Sequence, residues 1–190
     1  MIKSSHAAAT VRRLIKGEAG VSESGKTCGD CGLCCKLLGI EAIRKEPGQW
    51  CGHFRKGVGG CGIYADRPTA CRDFICLWLS SERLDDSWKP NKAKFVMFTD
   101  QDGRRLNIVV DPAEPMAWRR DAYYPRIKAM SSRSEEGYEL VVAVGDRRFV
   151  IFPHEDVDLG IINPDHKIVT GFAVVEGERR PYAMVVSDRE

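Results

Sequence analysis

The sequence predicts an α+β fold, with a small cysteine-rich, metal-centred N-terminal domain followed by an antiparallel sheet of three hairpins and one packed helix. All eight cysteines lie within residues 28–76, and the chain after residue 76 has none. Beyond residue 92, pairs of apolar runs are joined by glycine-containing turns in the order hairpin, helix, hairpin, hairpin. That order favours a sheet covered on one side by a helix. The predicted divisions are a disordered basic tail (1–25), the cysteine-rich domain (26–80) and an α+β domain (92–190).

Each predicted hairpin has two apolar runs around a turn in which glycine stands next to an acidic residue, a combination typical of tight hairpins. Between the first and second hairpins, residues 116–132 predict a helix that Pro125 kinks or restarts. The polar stretch 80–91 is interpreted as a connector. The paired apolar runs are 94–98 with 106–110, 138–144 with 148–152, and 167–175 with 182–186.

The charge distribution and hydropathy exclude some classes of protein. Lysine and arginine total 29 against 27 aspartate and glutamate, so the net charge is +2. No basic stripe of the density of a nucleic-acid groove is present, and nucleic-acid binding is not expected. No run approaches the roughly 18 apolar residues of a membrane span, and residues 1–25 lack a signal-peptide core. The expected location is the cytoplasm, where thiols stay reduced.

Clustered cysteines that stay reduced more often bind metal than form disulfides. Two cysteines separated by two residues can bind one ion across a tight turn, and Gly29, Asp30 and Gly32 tolerate the backbone angles of such turns. A histidine two residues after a cysteine can serve as an additional ligand. The predicted metal ligands are therefore Cys28, Cys31, Cys34, Cys35, Cys51, His53, Cys61, Cys71 and Cys76.

The adjacent pair Cys34 and Cys35 complicates a single site, because neighbouring residues do not easily direct both sulfurs at one tetrahedral ion. One of the two is expected to join Cys28 and Cys31, while the other serves a second centre or packs in the interior. Cys35 ranks last among the eight. Eight thiolates can fill two four-coordinate zinc sites, with or without His53 as a substitute ligand. Alternatively, four of them hold one 4Fe-4S cluster and four are packing or redox residues.

Further expectations concern the chain around the later cysteines. Arg72, which follows a cysteine directly, is expected to donate to a sulfur and so to tune the metal site. Pro68 is expected to open a helix over residues 69–80, because proline suits the first helical turn. The glycine-rich loop at 57–60 is interpreted as the segment that lets Cys61 reach the metal.

The cysteines belong to a longer ordered series of motifs. After the opening cysteines come Trp50-Cys51-x-His53, Gly60-Cys61-x-Ile63-Tyr64 and Arg67-Pro68-x2-Cys71-Arg72-x-Phe74-x-Cys76. On these motifs, residues 26–80 resemble the CxxCxxCC (YkgJ-type) family, described as zinc- or iron-chelating proteins. The resemblance implies metal chelation and no single reaction. A distant relation to the flagellin lysine N-methylases adds an enzymatic interpretation, although no sequence element for S-adenosylmethionine is present.

Three functions are open at this point. Zinc could be structural, with the sheet offering a surface to a protein partner. Iron or a 4Fe-4S cluster could instead have a redox or protein-modifying role. In a third interpretation, the thiolates carry metal and exchange it. The sequence has no G-x-S-x-G, H-E-x-x-H or P-loop motif. Thiolate metal binding, with zinc ahead of iron, is therefore the prediction, and enzymatic activity stays undecided.

Overall fold

The computed structural model describes residues 24–100, 103–163 and 166–187, so nearly all of the predicted tail lies outside the described residues. The α-helices in these ranges are short, and short 3-10 turns accompany them. The helices are α1 (Leu33–Leu37), α2 (Thr69–Asp73), α3 (Leu77–Ser80), α4 (Pro90–Ala93) and α5 (Tyr124–Met130), and the 3-10 turns are Glu41–Ile43, Asp86–Trp88, Ala117–Arg119 and Ser131–Glu136. The strands are β1 (Phe95–Asp100), β2 (Arg105–Val110), β3 (Glu139–Val144), β4 (Arg147–Ile151), β5 (Asp156–Ile161), β6 (His166–Val175) and β7 (Glu178–Ser187).

The strands form two sheets. The first five form one sheet in the order β1-β2-β3-β4-β5, and β6 pairs with β7 in a separate two-stranded sheet. β2 and β3 run parallel, whereas every other neighbouring pair is antiparallel. The α+β class is confirmed, but the prediction of a wholly antiparallel sheet is wrong at the β2–β3 pair. The long connection that contains α5 brings the chain back to the same end of the sheet, which is the condition for parallel pairing.

All three predicted hairpins are present. β1–β2 and β3–β4 are pairs of the large sheet, and β6–β7 is the small sheet. β5 was not predicted, because its sequence Asp-Val-Asp-Leu-Gly-Ile has no continuous apolar run. It pairs with β4 across a register shift between Arg148 and Phe149.

The predicted helix at 116–132 is divided in two. A 3-10 turn at Ala117–Arg119 is followed by α5, which has Pro125 in its first turn. The restart at Pro125 is therefore confirmed. Proline suits this position because its missing N–H has no intrahelical partner there.

One face of the large sheet carries the main core. Trp118 and Ile127 are among its completely buried side chains, and Trp88 packs edge-on against Phe95 at 6.0 Å. The stretch 80–91 is therefore more than a connector, since its apolar side chains enter this core. The buried members of the main core are Trp78, Leu84, Trp88, Ala93, Phe95, Met97, Ile108, Val110, Ala117, Trp118, Tyr123, Ile127, Leu140, Val142 and Ile151.

The opposite face of the sheet has two covers. Near β1, Leu33 and Leu37 of α1 pack against Val96. Further along, β6 and β7 pack on the face near Val141 and Val150. The first of these covers brings the cysteine-rich region directly onto the edge of the sheet.

The chain between Thr69 and Ser80 reaches around this edge and does not form the single predicted helix. α2 ends at Asp73, and Phe74 and Cys76 have extended backbone angles before α3 begins. Because the helix is broken, side chains of this segment reach both faces of the sheet. Cys76 packs against Leu33, Leu37 and Val96 on one face and against the main core on the other. In the ranges that the structure describes, no helix combines the length and apolar character needed to cross a bilayer.

Candidate metal centre

Seven of the eight cysteines line a single cavity of about 500 Å³, and His53 lines it with them. The eighth, Cys76, lies behind this lining against the sheet. All eight thiols are free, with no disulfide among them. Within the described ranges, no three histidine, cysteine or acidic side chains already converge as a ligand set for one ion. The thiols therefore surround a cavity and do not meet at one point.

The first cysteines lie in a tight turn of residues 28–32, called the knuckle below, that leads into α1. The Cys31 N–H donates to the Cys28 carbonyl at 2.8 Å, and Gly29 adopts a positive φ of 51° in this turn. Gly32 is required for a different reason, because a Cβ there would lie 2.0 Å from the ring of Phe54. Gly32 thus allows residues 50–54 to close over the knuckle, a role that the sequence analysis did not predict for it.

The loop that carries Cys51 and Cys61 lies against this knuckle. The Cys51 N–H donates to the Cys35 carbonyl at 2.9 Å, and Cys61 pairs with Phe54 through an isolated β-bridge. Gly59 has a φ of 80°, and a Cβ on it would approach the Cα of Asp30 to 2.7 Å. The glycine-rich loop is therefore part of the site's wall, since it packs on the backbone of the opening C-x2-C motif.

Cys28, Cys31 and Cys76 influence one another electrostatically. Burial raises the pKa of the Cys76 thiol to about 11, with Cys28 and Cys31 contributing and nearby backbone N–H groups opposing. Burial is also the main cause of the raised pKa of Cys28, and Cys31 is the next contributor. These three thiols are close enough for each to penalise a negative charge on another. A cation bound among them would remove that penalty.

Cys71 lies near a different set of cysteines from the set around Cys76. Burial raises the pKa of its thiol, followed by Cys35, Cys51 and Cys61. Its position is set by α2, where the Cys71 N–H donates to the Pro68 carbonyl at 2.9 Å. The later cysteines thus form a second neighbourhood around Cys35, which overlaps the first because Cys35 also raises the pKa of Cys28.

The adjacent pair connects the two neighbourhoods. The hydrogen bond from the Cys34 thiol to the Cys35 sulfur is the main reason that the pKa of Cys34 is raised and that the pKa of Cys35 is lowered to about 7. Cys31 and Cys28 also act on Cys34. Cys35 ranked last as a ligand from the sequence, yet its sulfur is the most acidic of the cysteines with a shifted pKa.

Three cations face the sulfurs. Lys89 lowers the pKa of Cys28 and of Cys31, and it is held by an ion pair with Asp30 at 2.7 Å. Arg67 lowers the pKa of Cys28, Cys35 and Cys71. Lys45 lowers that of Cys35. These cations lie where bound thiolates would carry excess negative charge.

Arg72 does not have its expected place at a sulfur. Its guanidinium donates to the Thr69 hydroxyl at 3.3 Å on the surface. Sequence reasoning missed Lys45, whose ammonium donates to the carbonyls of Lys36, at 2.8 Å, and Leu38 at the end of α1. No local pattern marks Lys45, because its approach to the sulfurs depends on how the chain after α1 folds back.

Fold and site together define an α+β protein with a cysteine-lined cavity at the β1 edge of its sheet. No family model matches this chain, and no curated protein or solved structure matches it significantly. The resemblance to the CxxCxxCC family therefore rests on the motifs of residues 26–80.

Proposed function

We propose that this chain is a metal-binding protein that holds metal through its thiolate cluster. The observation that carries the proposal is the gathering of seven cysteines and His53 around one cavity, from residues that span 44 positions of the sequence, Cys28 to Cys71. Most of these thiols are half-buried. Clustered thiols gain little from mutual contact, since each deprotonated sulfur repels the others. A bound cation is the ordinary reason for such an arrangement.

The surrounding charge supports the same proposal. A zinc ion with four thiolates has a net charge of about −2. Lys89, Arg67 and Lys45 approach different parts of the cluster and would offset this charge. Zinc is the proposed metal, with a structural or carried role in the cytoplasm. A protein partner is part of the same proposal.

A 4Fe-4S cluster is the second candidate, and one observation favours it. The thiols stand around a cavity of about 500 Å³. A polynuclear cluster occupies more space than one zinc ion and takes four thiolates at its corners. In that case the protein would have a redox or protein-modifying role.

Metal analysis of protein purified without oxygen tests the proposal. We expect colourless protein with about two zinc ions per chain, as two four-thiolate sites require. Brown protein with iron and acid-labile sulfide would select the second candidate. Protein whose cysteines are alkylated before reconstitution is the control, and it should take up no metal. Reduced, unmodified protein that takes up neither metal would reject the proposed function.

A further inference from the structure

We propose that the mouth of the cysteine-lined cavity is a docking surface for an acidic segment of a protein partner. The inference deepens the proposed function, on which it rests, by naming the chemistry of the partner. The surface is formed by Trp50, Phe54, Arg55, Tyr64 and Arg67, together called the rim below. Four of these residues line the cavity, and Trp50 stacks on Phe54 with 4.6 Å between the ring centroids.

The charge at the cavity mouth fits a carboxylate. Arg55, Arg67 and His53 line the cavity, and none of the described residues that line it is an aspartate or a glutamate. Arg55 is exposed, and within the described ranges its guanidinium has neither an ion-pair partner nor a hydrogen-bond acceptor. Basic side chains elsewhere are commonly paired, as Lys36 is with Asp111 at 2.6 Å. An unpaired arginine can hold a carboxylate through two parallel hydrogen bonds.

Two aromatic rings of the rim are exposed yet held in place. Trp50 is 41% exposed and Tyr64 is 40% exposed. Arg67 supports Tyr64, because its Nε donates to the Tyr64 carbonyl at 2.9 Å and its guanidinium lies 3.6 Å from the ring centroid. Trp50 is supported by Phe54, whose ring occupies the space that a side chain at Gly32 would need. Fixed tryptophan, tyrosine and arginine side chains are the residues that most often dominate binding at protein interfaces.

The exposed apolar surface extends beyond the cavity, which favours a protein over a small organic acid. Trp50 lies outside the cavity lining, and so does Val58, which is 77% exposed and follows Arg55 by three residues. A small acid inside the cavity would leave both of these side chains in water. Exposed apolar side chains next to a charged one are typical of a surface that a protein partner covers.

An acidic polypeptide also fits the rim better than a nucleic acid does. Exposed rings such as those of Trp50 and Tyr64 would suit the stacked bases of single-stranded RNA. A nucleic-acid site, however, follows a series of phosphates with a row of cations, and the whole chain has a net charge of only +2. One exposed arginine beside two aromatic rings matches a carboxylate flanked by apolar side chains.

Titration of the metal-loaded, full-length protein with a short peptide of glutamate, leucine and serine tests the inference. Trp78, Trp88 and Trp118 are at most 5% exposed, so acrylamide quenching of tryptophan fluorescence reports mainly on Trp50. We expect the acidic peptide to protect Trp50 from acrylamide, and added salt to weaken its binding. The same peptide with lysine in place of glutamate should give no protection.

Arg55→Gln should weaken binding of the acidic peptide about tenfold, since it removes a hydrogen-bonded contact to a charged group. Arg104→Gln is the matched control, because Arg104 is an exposed arginine outside the cavity lining. This control should bind the peptide as the unmodified protein does. Circular dichroism and elemental analysis show whether both variants are folded and loaded with metal.

Several results would overturn the inference. They are an acidic peptide that leaves Trp50 unprotected, equal protection by the lysine peptide, and equal affinities in Arg55→Gln and Arg104→Gln. Tighter binding of oligouridine or of free glutamate than of the peptide would assign the rim to RNA or to a small acid instead. Metal-loaded protein that does not bind the peptide rejects the docking surface alone, whereas reduced protein that takes up no metal rejects the proposed function.

Discussion

Complete removal of metal from the loaded protein is expected to unfold residues 28–76 while the five-stranded sheet remains folded. The buried apolar side chains of this stretch are only Leu33, Leu37, Ile40 and Cys51. A segment of this size cannot be stable on so small a core. Thiolate zinc sites supply about 10 kcal/mol or more of folding free energy in small domains, which exceeds what these four side chains contribute.

The sheet should respond differently because its main core lies on the opposite face. Ile108 and Val142 are completely buried there. Hydrogen exchange with mass spectrometry, before and after chelation under reducing conditions, measures both parts in one experiment. Amides of α1 and of the loop from Cys51 to Cys71 should lose protection, and amides of β2 and β3 should keep it.

Two controls accompany the chelation experiment. Elemental analysis must show that the metal is gone, and renewed addition of zinc should restore protection. Unchanged exchange in residues 28–76 after verified removal would show that the stretch is stable without metal. Equal loss of protection in β2 and β3 would show that the cluster supports the whole fold.

Trp118→Ala should be the most damaging single change in the sheet core. Trp118 is 1% exposed, and its ring lies 5.4 Å from that of Phe149 and 5.9 Å from that of Tyr124. Truncation removes the apolar contacts and leaves a cavity that close-packed neighbours cannot fill. The expected loss is about 4 kcal/mol in the free energy of unfolding, or about 10 °C in Tm for a chain of this length.

Trp50→Ala is the matched control, because it removes the same side chain from an exposed position. Trp50 is 41% exposed and stacks on Phe54 at 4.6 Å. Its loss should cost less than about 1 kcal/mol. Urea unfolding of the metal-loaded proteins, with retained metal content as a check on the cluster, compares the two variants. Equal costs would mean that burial of Trp118 does not determine the stability of the sheet.

Local sequence was sufficient for the hairpins and insufficient for the arrangement of the strands. The Gly145-Asp146 turn brings adjacent runs together, so β3 and β4 follow from nearby residues. The parallel pairing of β2 with β3 depends on where the chain returns after α5, which no local pattern specifies. β5 was missed because Asp156 and Asp158 interrupt its apolar pattern, while pairing with β4 supplies the hydrogen bonds that make it a strand.

In the candidate site, too, local features could be predicted from the sequence and long-range contacts could not. The spacing of Cys28 and Cys31 was enough to predict a tight turn, and the structure has one. The helix expected after Pro68 is broken at Phe74, since the chain there must reach around the sheet edge. Arg72 was chosen because it adjoins a cysteine in sequence, but Lys45 and Lys89 approach the sulfurs in space.

The amino-acid sequence alone was enough to establish how many thiols there are and that they are crowded into one part of the chain, and it predicts metal as their partner. The count and the crowding depend on residue type and spacing, which are local properties of the sequence. Tertiary structure decided which thiols are neighbours, because Cys76 is brought to Cys28 and Cys31 by packing on β1. It also decided which cations face the adjacent cysteines, since Lys45 and Arg67 reach Cys35 only because other parts of the chain fold back beside α1.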